Sequence, residues 1–220
     1  VQRPRGWQVN PFVSLSDPLN IRQGNPNLMP EDIHSMELSF AKFFSNWNFI
    51  TTAYMRRVND MVQPLQFDVD DPIAAAYLEG KENATFMRWE NVGSRDNAGS
   101  ELISKVNIFK WWDVTANANV YYQRVNPTTR YNINKVENIA WDGNLTSNLK
   151  VTPSSSVQIR TNYRAPMKTL QGSMRSMNGV DLAVRQDVLK GKGTVMFNVR
   201  DVFNSRRFGG ETNLPTRYTD

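Results

Sequence analysis

Apolar and polar residues alternate with period two over most of the chain. From Asp113 onward, Val114, Ala116, Ala118, Val120 and Tyr122 fall on one face, and Thr115, Asn117, Asn119, Tyr121 and Gln123 on the other. The alternation returns at Val157, Ile159, Thr161 and Tyr163 against Gln158, Arg160, Asn162 and Arg164. Val180, Leu182 and Val184, then Val195, Phe197 and Val199, continue it, and Trp141, Leu145, Leu149 and Val151 alternate with Asp142, Asn144, Asn148 and Lys150. Such alternation marks strands with one apolar and one wet face. Earlier strands are noisier: 34–44 alternates, 48–59 carries apolar residues on both faces, and 86–109 reads as one strand bulged near Gly93–Gly99.

The punctuation is lopsided. Tight turns are expected at Ser45-Asn46, Lys110–Trp112, Pro153–Ser155 and Gly191–Gly193. Longer polar connections are expected at 61–85, 126–134, 167–177 and after Asn204, with one short turn of helix at Pro72–Leu78. The pattern predicts an all-β fold, an antiparallel up-and-down meander of about eight long strands. Two architectures fit: a soluble sandwich, whose apolar faces form the core, and a segment of a transmembrane β-barrel, whose apolar face meets lipid. Phe43, Phe44, Trp47, Phe109, Trp111 and Trp112 crowd the short-turn end, where an interfacial girdle would sit, and Arg160, Arg164 and Arg185 put charge in mid-strand on the wet face. Both features favour the barrel.

Composition narrows the chemistry. Cysteine is absent and His34 is the single histidine, which removes thiolate chemistry, disulfides and two-His metal sites. The 26 Lys and Arg exceed the 21 Asp and Glu, a net charge of +5, but the cations are scattered, so a nucleic-acid partner is not expected. Mean hydropathy is −0.54 and no apolar run is long enough to span a bilayer as a helix. The chain begins at Val1 without an initiator Met or a signal peptide and reads as an internal piece of something longer.

Arg3-Pro4, Asn10-Pro11-Phe12, Ser16–Asn20, Gly24-Asn25-Pro26-Asn27-Leu28, Pro30-Glu31 and Glu37 form one set of motifs. Tyr54, Arg56, Arg57 and Asp60, then Glu90-Asn91-Val92-Gly93 with Gly99 and Glu101, form a second. Asn162-Tyr163-Arg164, Val180-Asp181-Leu182 and Asp201-Val202-Phe203-Asn204 form a third. Together they resemble the barrel of TonB-dependent outer-membrane receptors, in the branch common in Bacteroidetes. The resemblance covers essentially the whole chain. It implies a barrel of about 22 strands in the outer membrane of a Gram-negative cell, with a plug reached by TonB. It further implies a small nutrient ligand held on the outer loops and the plug, and it admits a surface lipoprotein as a further partner. No plug, TonB box or aromatic-terminated closing strand is present here, so residues 1–220 read as a single partial barrel domain.

No Ser/His/Asp or paired-carboxylate arrangement stands out, so no enzyme and no cofactor are expected. Asp68, Asp70 and Asp71 cluster in one loop and are weighed as a calcium loop against a solvated acidic loop. Trp7, Trp89, Tyr131 and Trp141 lie toward the long-loop end and are weighed as ligand-stacking aromatics against rim packing. Asn83-Ala84-Thr85 and Asn144-Leu145-Thr146 match glycosylation sequons, a pattern short enough to recur by chance. The leading reading is an outer-membrane nutrient receptor. The alternatives are a soluble β-rich, glycan-binding module and a plugless structural barrel.

Overall fold

A computed structural model describes residues 1–14, 16–81, 84–214 and 217–219, and Asn83 of the first sequon lies outside them. Eight antiparallel strands form the main sheet: β1 (Asp32–Phe43), β2 (Trp47–Asn59), β3 (Gly93–Phe109), β4 (Trp112–Pro127), β5 (Val136–Thr152), β6 (Ser155–Arg164), β7 (Met177–Val188) and β8 (Gly193–Val199). Each pairs with its neighbours in chain order, and the sheet is open, with β1 and β8 at its two edges. The expected meander is present, with its tight turns.

The register separates the two faces over the paired alternations of β4 to β7, and near the turn end of β1 to β3 Ala41, Ile50 and Ile103 fall on the polar face. Val120 lies opposite Trp141, Ala116 opposite Leu145, and Thr161 opposite both Leu145 and Val180, so the apolar alternations of four strands share one surface. Asn117, Asn144 and Asn162 occupy a single rung on the other surface, one residue out of phase. β2, ambiguous by pattern, is resolved the same way: Ala53 pairs with Leu38 and Ser100 on the apolar face, and Tyr54 with Glu37 and Gly99 on the polar one. The apolar face is unpartnered, with Leu38 at 78% and Val120 at 52% of full exposure.

The strands are staggered as a barrel wall requires. One rung joins Trp47, Val106, Val114, Ser147, Ile159, Leu182 and Val199. Here β1 has already reached its turn, whereas β3, β5 and β7 run three, five and six residues further (Phe109, Thr152 and Val188 against Val106, Ser147 and Leu182). That is one residue per strand. With a rise of about 3.4 Å and a spacing of about 4.8 Å it corresponds to a tilt of about 35°.

Aromatic rings border the apolar face at both ends. At the turn end Phe44 stacks on Trp47 (5.4 Å) and Phe109 on Trp111 (5.3 Å). Toward the other end Tyr122, Trp141 and Tyr163 form a second row, with Trp141 and Tyr163 at 4.4 Å. Tyr122 lies opposite Ile139, two residues from Trp141, and Tyr163 lies opposite Gly143, two residues further toward the turns. The row descends from strand to strand, as a level line must across tilted strands. Trp112 and Tyr122 are ten residues apart on β4, about 34 Å along the strand and about 28 Å in height at that tilt. An outer-membrane barrel carries an apolar band of about 25 Å between its aromatic girdles.

The long-connection end departs from expectation. Residues 86–109 are two strands rather than one: Thr85–Asn91 leaves the main sheet, and the chain turns at Gly93, whose φ is +128°. Only glycine takes this backbone without strain, and a Cβ there would run into the Asn126 carbonyl oxygen. Gly93→Ala is expected to destabilise the folded protein by about 1–3 kcal/mol, read as a shifted chemical-unfolding midpoint; an unchanged midpoint would place the break elsewhere.

The connection 61–85, read as a polar loop with a short turn of helix, holds that turn at Ala75–Leu78 and in addition the strand Val62–Phe67. Val13–Ser14, Asn20–Gln23, Thr85–Asn91 and Val62–Phe67 form a four-stranded sheet in that order. Pro64 is tolerated because its strand is at an edge. This sheet carries the buried core: Ile21, Leu65, Leu78 and Phe86 are buried together with Val58 of β2 and Val125 of β4. Both valines lie on the polar face of the main sheet, so the small sheet caps that face at the long-connection end. Two further connections read as loops, 167–177 and the stretch after Asn204, hold short strands, Met167–Thr169, Gly172–Met174, Gly210–Leu214 and Arg217–Thr219, in a second four-stranded sheet.

Candidate functional site

The motif residues scattered through the sequence meet in the cap. Glu90 is 2% exposed, and its carboxylate accepts from Asn25 Nδ2 (2.9 Å), Tyr131 Oη (2.9 Å) and the Arg88 guanidinium. Asn91 ties the next turn: its Oδ1 accepts from the Met29 N–H (2.8 Å) and its Nδ2 donates to the Asp60 carbonyl (2.7 Å). Glu31 Oε1 accepts from the Val62 N–H (2.7 Å). Segments 24–31, 60–62, 88–93 and 128–131 are thereby held by one hydrogen-bonded clasp. Burial first, then the hydrogen bond to Glu90 and its charge, push the Tyr131 phenol up to about 12. It therefore stays protonated and keeps donating at neutral pH.

A cleft of about 560 Å³ opens beside the clasp, lined by Gln23, Asn27, Tyr77, Arg88, Arg130 and Tyr131 among others. Arg130 lies over the Tyr131 ring at 5.5 Å. The cleft has the size and mixed lining of a small-ligand site. Of the aromatics weighed from the sequence, Tyr131 lines this cleft. Trp89 lies next to Glu90 but turns to Trp7 in an edge-on pair at 4.8 Å. Trp141 is elsewhere, on the apolar face of β5 against Tyr163. The structure does not bring the three together.

The acidic trio is not gathered either. Asp71 Oδ1 accepts from the Ile73 N–H and Asp68 Oδ1 from the Val69 N–H, which fixes the local turn. Asp70 is exposed. Among the described residues no group of three acidic or histidine side chains could hold a metal ion.

The polar face of the main sheet is hydrogen-bonded across strands. Tyr54 donates to Asn119 (3.0 Å), Asn117 to Asn144 (3.1 Å), Gln158 to Asn148 (2.7 Å) and Asn148 to Asp113 (2.9 Å). The Asp201–Asn204 motif folds into a tight turn after β8. Asp201 accepts from the Ser205 and Arg206 N–H groups, and Arg206 reaches Asp181 (3.0 Å) and Asn162 (3.1 Å) across this face. Period-two reading placed Asn117, Asn119, Asn144, Asn148, Gln158 and Asn162 on the wet face, left Tyr54 unassigned, and gave no sign of Arg206, whose partners lie 25 and 44 residues away.

A family model described as "Outer membrane protein beta-barrel family" matches residues 1–220. No curated protein sequence matches the chain. Among solved structures it is similar to the siderophore receptor PirA from Pseudomonas aeruginosa, at 14% identity and a TM-score of 0.62. That likeness is one of fold, and it covers 94% of this chain but 35% of that one, so the chain spans about a third of that receptor's length.

Proposed function

The chain belongs to the outer membrane protein β-barrel family, and from that premise we propose that its eight strands are part of the wall of a TonB-dependent receptor importing a scarce nutrient. The observation that carries the reading is one sheet with an apolar face bounded by two aromatic rows and a polar face capped at the long-connection end. In this reading the apolar face meets lipid, the polar face lines the lumen, the short turns are periplasmic and the cap is extracellular. Further strands outside these residues pair with the open edges of β1 and β8, and residues 1–220 are one partial barrel domain. TonB engages a plug in the lumen, a surface lipoprotein is a natural partner for the cap, and no reaction is catalysed. The host is a Gram-negative bacterium of the Bacteroidetes.

Membership in an outer-membrane family sets aside the soluble glycan-binding module. A plugless structural barrel is separated by genetics. Deleting the gene and deleting TonB are expected to give the same growth defect on one limiting nutrient, without additivity. A defect that persists unchanged in magnitude when TonB is already absent would contradict energised uptake.

A further inference from the structure

The polar face holds a charged group that the fold leaves unanswered. Arg95 of β3 lies between Val58 and Val125 on the rung where the cap meets the wall. Among the described residues its Nε is buried without a hydrogen-bond partner, as is Oδ1 of Asn97, two residues along the same face. A buried donor or acceptor left unpaired costs about 1–3 kcal/mol, and more when charged, so the position is expensive unless something else satisfies it. Glu31 is the acidic neighbour whose charge acts on Arg95, but one of its oxygens is committed to Val62. Arg56 adds a second positive charge nearby.

Arg95 faces a cleft of about 240 Å³ under the hairpin formed by residues 167–174. Gln123 and Lys168 supply further polar groups there, and Val125, Val136, Leu170 and Met174 supply apolar walls. A guanidinium is the side chain best suited to a carboxylate, because its fork of donors matches two oxygens. Two cations, Arg95 and Lys168, outnumber the one carboxylate of the lining, Glu31, and with the apolar walls they suit a short aliphatic body with an anionic head.

We propose that Arg95 forms a binding site for a small aliphatic carboxylate at the lumen mouth. The inference rests on the reading of the polar face as the lumen wall and deepens it by naming a ligand class. Butyrate is the probe, with 1-butanol as its uncharged counterpart, bound to the detergent-solubilised full-length protein and read by saturation-transfer NMR. Butyrate is expected to bind saturably, 1-butanol not to compete, and Arg95→Gln to weaken binding by about tenfold or more, the loss of one charge-assisted hydrogen bond. Should Arg95→Gln fail to fold, Arg95→Lys keeps the charge but not the fork and is expected to weaken binding by about threefold or more. Lys192→Gln, in the turn before β8, is expected to leave it unchanged. Equal binding by the parent and either Arg95 variant, or competition by 1-butanol, would overturn the site. A cysteine at Asn117 separates the two levels. If it is shielded from a water-soluble maleimide the lumen reading fails, and if it is labelled while butyrate does not bind, only the site fails.

Discussion

Replacing Glu90 with alanine is expected to cost about 3–5 kcal/mol of stability, because it strands a largely buried arginine. The Glu90 carboxylate answers three groups from three segments, Asn25, Tyr131 and Arg88, and nothing else in the clasp can replace it. Arg88 is 20% exposed and would keep its charge in a site that no longer pays its desolvation. Glu90→Gln keeps an acceptor for Tyr131 and removes only the charge, so its loss should be smaller. The measurement is chemical unfolding of the refolded protein, followed by fluorescence of Trp89, the clasp-side partner of Trp7. A midpoint for Glu90→Ala within error of the parent would mean that the clasp does not hold the cap.

Val120→Arg is expected to cost about 2–4 kcal/mol if Val120 lies near the bilayer midplane, and less toward the girdle. Val120 sits on β4 one outward position below Tyr122 and opposite Trp141. The same change at Ala116, closer to the centre of the band between Trp112 and Tyr122, should therefore cost more than at Val120. Arginine in place of Asn117, on the other face, should cost little, since that face already carries Arg160 and Arg164. Folding titrations into lipid vesicles read all three. Equal losses at Ala116 and Asn117 would contradict the assignment of the faces.

How much of this was legible in the sequence follows from which contacts are local. The hairpins β3–β4, β5–β6 and β7–β8 pair residues joined by tight turns, so alternation and turn chemistry were enough to make their strands neighbours. The turn-end girdle was legible because its rings flank the β1–β2 and β3–β4 turns, whereas the second row was not, because Tyr122, Trp141 and Tyr163 lie within their strands. The cap was not, because its sheet is stitched from distant segments: Asn20–Gln23 runs parallel to Thr85–Arg88, and Val62–Phe67 pairs with Asn91–Phe86. No local pattern encodes those pairings. The alternation also runs through Val92 almost unbroken, so one strand was read where the positive φ of Gly93 makes two. Glu90 was visible as part of a motif, and its burial was not, since a carboxylate in a strand reads as exposed. Arg95 gave no signal, because its cleft is assembled from separate segments around residues 31, 61–63, 123–125 and 167–174.

The central claim is that the two faces of one sheet meet different solvents. The chain has no cysteine, so single cysteines can be placed in turn at residues 113–123 of β4 in the protein reconstituted into vesicles, and each labelled with an environment-sensitive fluorophore. Quenching by bromine atoms on the lipid acyl chains should be strong at 114, 116, 118 and 120 and weak at 115, 117, 119 and 121, with water-soluble maleimide reacting in the opposite phase. Quenching that lacks this period of two, or that is strongest at Asn117 and Asn119, would contradict the account.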